Sequence, residues 1–363
     1  MESIYWVLTW ACHRKCDHCY DARFRPYVRS GLSRVLAEGQ TAYRRIVEHL
    51  PNDFSYAQPL ADGRSERRRG RLILAGGELL IDAVREPLLY PVLDALREKY
   101  GSGGPRLSLQ TTGDVLTDHH LEALLARGIW MIGIASIDDH HVGMKGERKF
   151  AFMQRIREMM ARHGVEEASL GGARDHRVEL PARPADSARD YLQEDGPFFV
   201  FFGAQPELWV GELWPRGRAW SNGLSNADYS TNFCARWSGG RNFLHHGQAG
   251  SEVSIEPDGS VYPCCIKTRV PLGSVVEEPL IEMLDSLREE PALQALNNGD
   301  PEGMGLHHGW TRAQFRASAH VTDPTGRPYG NPCIGCDAYF DAHLGARLVA
   351  LREQRRQLRE ARA

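Results

Sequence analysis

The sequence lacks the long hydrophobic runs and the strong charge bias typical of membrane and nucleic-acid-binding proteins. No apolar stretch is long enough to span a bilayer. The first residues, MESIYWVLTWACHRKC, contain no basic segment followed by a long apolar stretch, so they do not form a secretory signal. The formal net charge is only -3, which gives no overall attraction to nucleic acid or anionic lipid. We therefore expect a cytoplasmic protein without nucleic-acid or membrane partners.

The composition is that of a folded protein with a sizeable core. The chain has 363 residues, of which 42% are hydrophobic and 25% charged. Two arginine-rich runs are expected to be solvated: residues 64–71 as a loop and residues 352–362 as an exposed helix face. In a reducing compartment the 8 cysteines are better interpreted as metal ligands than as disulfides.

Apolar periodicity predicts alternating strands and helices over the first half of the chain. Short apolar runs predict strands at residues 3–9, 71–75, 106–113 and 129–136. Helical spacing of apolar residues predicts helices at residues 32–50, 84–99, 116–127 and 150–163. This alternation favours a parallel sheet, which binds ligands at the carboxyl ends of its strands. The segments CHRKCDHC, GGE, QTTG and SIDD each follow a predicted strand.

Three cysteines follow the first predicted strand. Cys12, Cys16 and Cys19 form a CxxxCxxC motif, and each thiolate can hold one iron of a 4Fe–4S cluster. The fourth iron then has no protein thiolate, and an open coordination position is where a metal does chemistry. The alternative is a zinc site completed by His13 or His18.

This pattern resembles the radical S-adenosylmethionine (radical SAM) superfamily over residues 4–220. The order of the motifs matches that family, although Leu79 replaces the usual proline after GGE. The resemblance implies that Cys12, Cys16 and Cys19 hold a catalytic cluster ligated by S-adenosylmethionine (AdoMet). It also implies the following cofactor-binding residues: His18, Tyr20, Gly76, Gly77, Glu78, Thr111, Thr112, Ser136 and Asp138.

The family chemistry assigns roles to these positions. The reduced cluster of such enzymes cleaves AdoMet to methionine and a 5′-deoxyadenosyl radical, which abstracts a substrate hydrogen atom. By resemblance, His18 and Tyr20 lie near the adenine, and Ser136 and Asp138 contact the ribose or the methionyl part. Glu78 would pair with the cofactor ammonium through a charge-assisted bond. A flavodoxin- or ferredoxin-type protein is the expected electron donor.

Four further cysteines occur in the second half of the chain. Cys234, Cys264, Cys333 and Cys336 resemble the Twitch form of the SPASM-type extension of radical SAM enzymes, which holds one auxiliary 4Fe–4S cluster. The segment SIEPDGSVYPCC predicts two strands around a Pro-Asp-Gly turn, and WPRGRAW resembles the end of such barrels. A zinc knuckle is the alternative for the four cysteines. Cys265 is interpreted as a buried surplus thiol or as an alternative to Cys264.

The predicted fold class is α/β, with three parts. We expect a partial (β/α)6 TIM-like barrel over residues 1–215, a small irregular α+β iron–sulfur domain over 216–341, and a C-terminal helix over 342–363. The histidine pairs at 119–120, 140–141, 245–246 and 307–308 are interpreted as surface residues, although the second pair follows a strand and could face substrate.

The substrate is the most open part of the sequence interpretation. Dehydrogenation of a small molecule is the first hypothesis, with the auxiliary cluster either accepting an electron or binding the substrate. Modification of a ribosomally made peptide is the alternative, although the chain begins at the first barrel strand and leaves no room for a leader-binding domain. Tetrapyrrole side-chain modification and a non-catalytic zinc-binding protein are further alternatives.

Overall fold

The computed structural model describes residues 1–60, 62–168, 196–204, 212–236 and 242–361. The chain divides into two compact units. We name residues 6–41 and 71–226 the strand–helix unit, and residues 1–5, 42–70 and 227–363 the cysteine-rich unit. No helix in the described ranges combines the length and the apolarity needed to cross a membrane.

The longest described helices are Ser30–His49 near the start of the chain and Arg148–Arg162 and Gly345–Glu360 further along it. The described strands are β1 Ser3–Val7, β2 Ser55–Pro59, β3 Ser65–Arg69, β4 Arg71–Ala75, β5 Arg106–Thr111, β6 Ile129–Ile134, β7 Glu166–Glu167, β8 Phe198–Phe201, β9 Glu252–Ile255, β10 Ser260–Tyr262, β11 Gly273–Ser274, β12 His320–Thr322 and β13 Pro328–Gly330. The described α-helices are α1 Ser30–His49, α2 Asp82–Val84, α3 Tyr90–Tyr100, α4 Asp118–Ala126, α5 Arg148–Arg162, α6 Gly217–Ser221, α7 Phe233–Arg236, α8 Leu280–Ser286, α9 Pro291–Asn297, α10 Arg312–Ser318, α11 Pro332–Tyr339 and α12 Gly345–Glu360. Residues Arg85–Leu89 and Phe340–Leu344 are π-helical.

Parallel strands form the centre of the strand–helix unit, so the predicted α/β class is confirmed. Their spatial order is β4, β5, β6, β8 and β7. β4 pairs with β5, β5 with β6, and β6 with β8, each in parallel. All residues of β4 are buried, which explains its continuous apolar sequence RLILA. The two-residue strand β7 pairs only with β8, so the last two strands do not follow chain order.

Local sequence signals account for the ends of the predicted helices. α4 begins after Thr117, whose hydroxyl accepts a hydrogen bond from the His120 amide, as an N-cap does. It ends before Gly128, which has a φ of 81°. α5 likewise ends just before Gly164, with a φ of 67°. These boundaries agree with the predicted helices to within about two residues.

The first arginine-rich run forms a strand, so the prediction of a loop at residues 64–71 is wrong. β3 pairs antiparallel with β2, and Arg67 lies opposite Ala57. Arg67 also binds Asp53, with 2.5 Å between Nη2 and Oδ2. The hairpin is anchored because the Ala57 amide donates to the Gly247 carbonyl at 2.8 Å. Backbone pairing and local ion pairs therefore order a segment whose composition indicates a solvated loop.

The cysteine-rich unit contains the hairpin predicted from SIEPDGSVY. β10 pairs antiparallel with both β9 and β11. Gly259 turns the hairpin with a φ of 83°, and its amide donates to Glu256 at 2.9 Å.

The C-terminal helix is only partly exposed, which corrects the prediction of a solvated face. Arg355 of α12 is buried and binds the fully buried Glu278, with 2.9 Å between Nε and Oε2. Arg359 adds a second ion pair to the same carboxylate at 2.6 Å. The alternating charges of this helix predict an exposed face, because the sequence gives no sign of ion-pair partners so far away in the chain.

Candidate metal centres

The three cysteines of the first set lie together on the loop between β1 and α1. Cys12 and Cys16 are buried and Cys19 is half-buried. Burial raises the pKa of the Cys12 thiol to about 12, and the nearby Glu78, Cys16 and Cys19 raise it further. Burial also raises the pKa of Cys16 and Cys19. Thiols held at such high pKa values become thiolates when a metal binds them, since the metal replaces the proton.

Glycine allows the GGE turn after β4 to approach this loop closely. A Cβ atom at Gly77 would lie 2.1 Å from the Ala11 carbonyl oxygen and 2.7 Å from Cys12 Cβ. The backbone joins the same two segments, because the Glu78 amide donates to Ala11 at 3.0 Å and the Gly77 amide to Thr9 at 3.1 Å. Gly76 is also crowded, since a Cβ there would lie only 2.8 Å from Leu79 Cδ2. The two glycines therefore place Glu78 beside the cysteine loop.

The carboxylate of Glu78 is fully buried and accepts several hydrogen bonds from the turn after β5. Thr111 Oγ1 lies 2.8 Å from Oε1, and both the amide and the hydroxyl of Thr112 lie 2.7 Å from Oε2. The Leu80 amide adds a bond of 3.0 Å to Oε1. A buried carboxylate with this many donors is held in one orientation.

Ser136 and Asp138 follow β6 and are both buried. The Ser136 hydroxyl donates to the Thr112 carbonyl at 2.8 Å, which ties this turn to the turn after β5. Asp138 accepts from the Ala204 amide at 3.0 Å and lies 2.9 Å from His141 Nδ1. Burial alone would raise the pKa of Asp138, but these hydrogen bonds outweigh it and lower that pKa well below its usual range.

His18 packs against the histidines that follow β6. Its ring stacks on His140 at a centroid distance of 5.3 Å and meets the edge of His141 at 4.4 Å. The side chains of His18 and His141 are each only 11% exposed, so His141 is not the surface residue we predicted. The donor atoms of His18, Asp138 and His141 lie within 4.8 Å of one another. Burial lowers the pKa of His18 to about 3, so this ring is neutral near pH 7.

Arg218 holds the cysteine loop in place, a role that the sequence interpretation did not assign. Its guanidinium donates to the carbonyls of Cys16 at 2.7 Å, Ala22 at 3.0 Å and Phe24 at 2.7 Å. The preceding Gly217 has a φ of 52°, and a Cβ there would lie 2.4 Å from the Tyr20 backbone. The Tyr20 ring meets Phe24 edge-on at 5.4 Å. The sequence signal for this role was the segment WPRGRAW, which by resemblance indicated only the end of the barrel.

The four cysteines of the second set converge within the cysteine-rich unit. All four are buried. Cys234 lies in α7, Cys264 follows β10, and Cys333 and Cys336 lie one turn apart on α11. Burial raises the pKa of the Cys336 thiol well above its usual range, and Cys234, Cys264 and Cys333 are close enough to raise it further.

Local contacts fix the CxxC helix. Asn331 caps α11 by accepting from the Cys333 amide at 2.8 Å, and its own amide donates to the Ala227 carbonyl at 2.9 Å.

Cys265 is half-buried, whereas the four cysteines of the second set are buried. Burial raises the pKa of the Cys265 thiol, and the nearby Glu252 and Cys264 raise it further.

One family model matches the chain. SPASM, described as an iron–sulfur cluster-binding domain, matches residues 248–302. This span includes β9, β10 and Cys264, whereas the other cysteines of the second set lie outside it. Residues 248–302 therefore resemble a SPASM-type iron–sulfur cluster-binding domain, and this part of the predicted resemblance is confirmed. No curated protein matches the sequence.

Several solved structures match the chain at low sequence identity and with TM-scores below 0.5. A structure of BtrN in complex with AdoMet and 2-DOIA has a TM-score of 0.44 and 14% identity, covering 86% of this chain and 90% of BtrN. Native anSMEcpe with bound AdoMet and the Cp18Cys peptide has a TM-score of 0.41 and 15% identity, covering 97% of this chain and 99% of anSMEcpe. Streptococcus suis SuiB bound to S-adenosylmethionine has a TM-score of 0.36 and 11% identity, covering 85% of this chain and 75% of SuiB. Scores this low do not assign a function by themselves.

Proposed function

We propose that this chain is a radical SAM enzyme with an open cluster at Cys12, Cys16 and Cys19. The observation that carries the proposal is the meeting of three neighbouring thiols with the buried carboxylate of Glu78. These groups follow β1 and β4, at the edge of a parallel sheet where ligands bind. Three thiols leave one iron of a cubane without a protein ligand.

The sequence spacing of the first set supports a cluster over a zinc ion. Zinc sites favour CxxC pairs, whereas three residues separate Cys12 from Cys16.

The residues of this chain would hold the cofactors and exclude water around them. The open cluster, once reduced and ligated by AdoMet, supplies the electron that cleaves AdoMet and so begins hydrogen-atom abstraction. Glu78 offers a negative charge for the cofactor ammonium, oriented by Thr111 and Thr112. Arg218 keeps the cysteine loop in one conformation by satisfying three of its carbonyls.

We further infer that the four cysteines of the second set hold a closed auxiliary cluster. Four buried thiols leave no position for AdoMet, so the chemistry available there is electron transfer. Removal of a hydrogen atom, then of an electron and a proton, oxidises a substrate by two electrons. This balance fits the oxidation of a small molecule or of a peptide, with one auxiliary cluster as the acceptor of the second electron.

Anaerobic turnover tests the proposal directly. Reconstituted protein should be brown, contain about eight irons per chain, and form 5′-deoxyadenosine from AdoMet with dithionite or reduced flavodoxin. Colourless protein that copurifies with zinc and forms no 5′-deoxyadenosine would contradict the proposal.

A further inference from the structure

The cysteine loop carries an arginine that contacts two other loops of the strand–helix unit. Arg14 lies between Cys12 and Cys16 in the sequence. Its Nε lies 3.0 Å and its Nη2 2.5 Å from Asp114 Oδ2, in the turn after β5. Its Nη1 donates to the Val142 carbonyl, in the loop after β6. One guanidinium thus joins the cysteine loop to both neighbouring loops.

Arg14 and Val142, which contact each other, also each donate a backbone amide to a cysteine sulfur. The Val142 residue whose carbonyl Arg14 holds also donates its amide to the Cys16 thiol. The Arg14 amide itself donates to Cys12 Sγ at 3.4 Å. Hydrogen bonds to cluster sulfurs and the net charge around a cluster both help to set its reduction potential.

Asp114 keeps the Arg14 guanidinium in this position. The carboxylate is only 21% exposed and the Arg14 side chain 15% exposed. His13 Nε2 lies 2.8 Å from Asp114 Oδ2, and the Thr112 hydroxyl lies within hydrogen-bond distance of Oδ1. Both carboxylate oxygens are therefore bound, which is more than a surface ion pair requires.

We propose that Arg14 and Asp114 form a positioning pair that sets the reduction potential of the cluster bound by the first cysteine set. The inference rests on the proposed function, since it concerns the same cluster. Arg14 places a positive charge near Cys16 and holds Val142, whose amide donates to the Cys16 thiol. Both effects stabilise the more negative, reduced state of the cluster. Asp114 holds the arginine in place and partly offsets its charge.

The two members of the pair should act on the potential in opposite directions. Replacement of Arg14 by glutamine removes a positive charge and releases Val142, so the midpoint potential should become more negative. Asp114→Asn removes a negative charge with nearly the same shape, so the potential should become more positive. Arg14→Lys keeps the charge but not the fork that reaches two acceptors, so it should shift the potential less than Arg14→Gln.

The test is a redox titration of each reconstituted variant, followed by electron paramagnetic resonance (EPR). Iron and sulfide content report cluster loading, and Arg162→Gln provides the matched control. Arg162 pairs with Asp118 at 2.9 Å but is 57% exposed, so its loss should leave the potential at the wild-type value. Opposite shifts in Arg14→Gln and Asp114→Asn, at wild-type iron content, would support the proposal.

Other outcomes overturn it. Unchanged potentials, or shifts of one sign in both variants, would show that the pair does not tune the cluster. Iron loss in both Asp114→Asn and Arg14→Lys would show a purely structural role. A wild-type EPR spectrum that does not change on addition of AdoMet would remove the proposed function instead, and this result is distinct from a failure of the variants.

Discussion

The two cysteine sets are supported by different kinds of local structure. The first lies on the loop between β1 and α1, which is held by contacts from residues distant in sequence, such as Arg218 to Cys16 at 2.7 Å. The second places two thiols one turn apart on the capped helix α11. The first set has three thiols beside a carboxylate, and the second has four thiols. Under the proposed function, we interpret this difference as an open reactive site in the strand–helix unit and a closed site in the cysteine-rich unit.

Removing the first set should have the largest effect on activity. We expect Cys12→Ala, Cys16→Ala and Cys19→Ala together to abolish AdoMet cleavage and to lower iron from about eight to about four per chain. Cys265→Ala should retain the full iron load and serves as the matched control. A triple variant with unchanged iron content would contradict the assignment of these ligands.

Removing one thiol of the second set should separate cofactor cleavage from product formation. We expect Cys336→Ala to form 5′-deoxyadenosine slowly with dithionite but to yield little or no oxidised product. Loss of four thiolate bonds can also unfold a small domain, so circular dichroism and monomeric elution must match the wild type. A folded variant that lacks the second cluster and turns over at the normal rate would refute a catalytic role for it.

A methyl group at Gly77 should disturb the first set and leave the second intact. Gly77→Ala would force Cβ to within 2.1 Å of the Ala11 carbonyl, and overpacking of this kind costs about 1–3 kcal/mol. We expect partial loss of the first cluster, seen as iron content between about four and eight. Gly103→Ala is the control, because nothing lies within 4 Å of its Cβ position. Equal iron content in both variants would contradict the close approach at Gly77.

Substitution of Glu78, the carboxylate proposed to bind the AdoMet ammonium, should have a smaller effect on the enzyme. Glu78→Ala should keep its iron, because Glu78 is not one of the proposed cluster ligands, but the substitution removes the charge that would pair with the cofactor ammonium. A hydrogen bond to a charged group contributes about 1.5–3 kcal/mol, so AdoMet affinity should fall about tenfold or more by calorimetry. Wild-type affinity would remove Glu78 from the cofactor site.

Short-range patterns predicted strands β1, β4, β5 and β6, the long helices of the first half and the hairpin before Cys264. Hydrophobic periodicity placed β4 and α5 to within about two residues, and glycines marked the helix ends. The helix α11, which places Cys333 and Cys336 one turn apart, was not predicted. The domain boundaries and the cofactor contacts remain predictions.

The contacts that hold the first cysteine set form between segments far apart in the chain, so no local sequence pattern predicts them. Arg218 binds Cys16 across 202 positions, and Arg14 binds Asp114 across 100. Composition also misled at β3, where charged residues form a strand because β2 supplies the backbone partners. His140 and His141 after β6 are half-buried for the same reason, since His18 packs against them only in the folded chain.

EPR of the reduced protein with and without AdoMet tests most directly whether the two sets hold different kinds of cluster. AdoMet should change the spectrum of the Cys336→Ala variant, which retains the open cluster. It should leave the spectrum of the triple variant of Cys12, Cys16 and Cys19 unchanged, because a closed cluster has no free position for the cofactor. An AdoMet-dependent change in the triple variant, or its absence from a Cys336→Ala protein that retains its first cluster, would contradict this assignment.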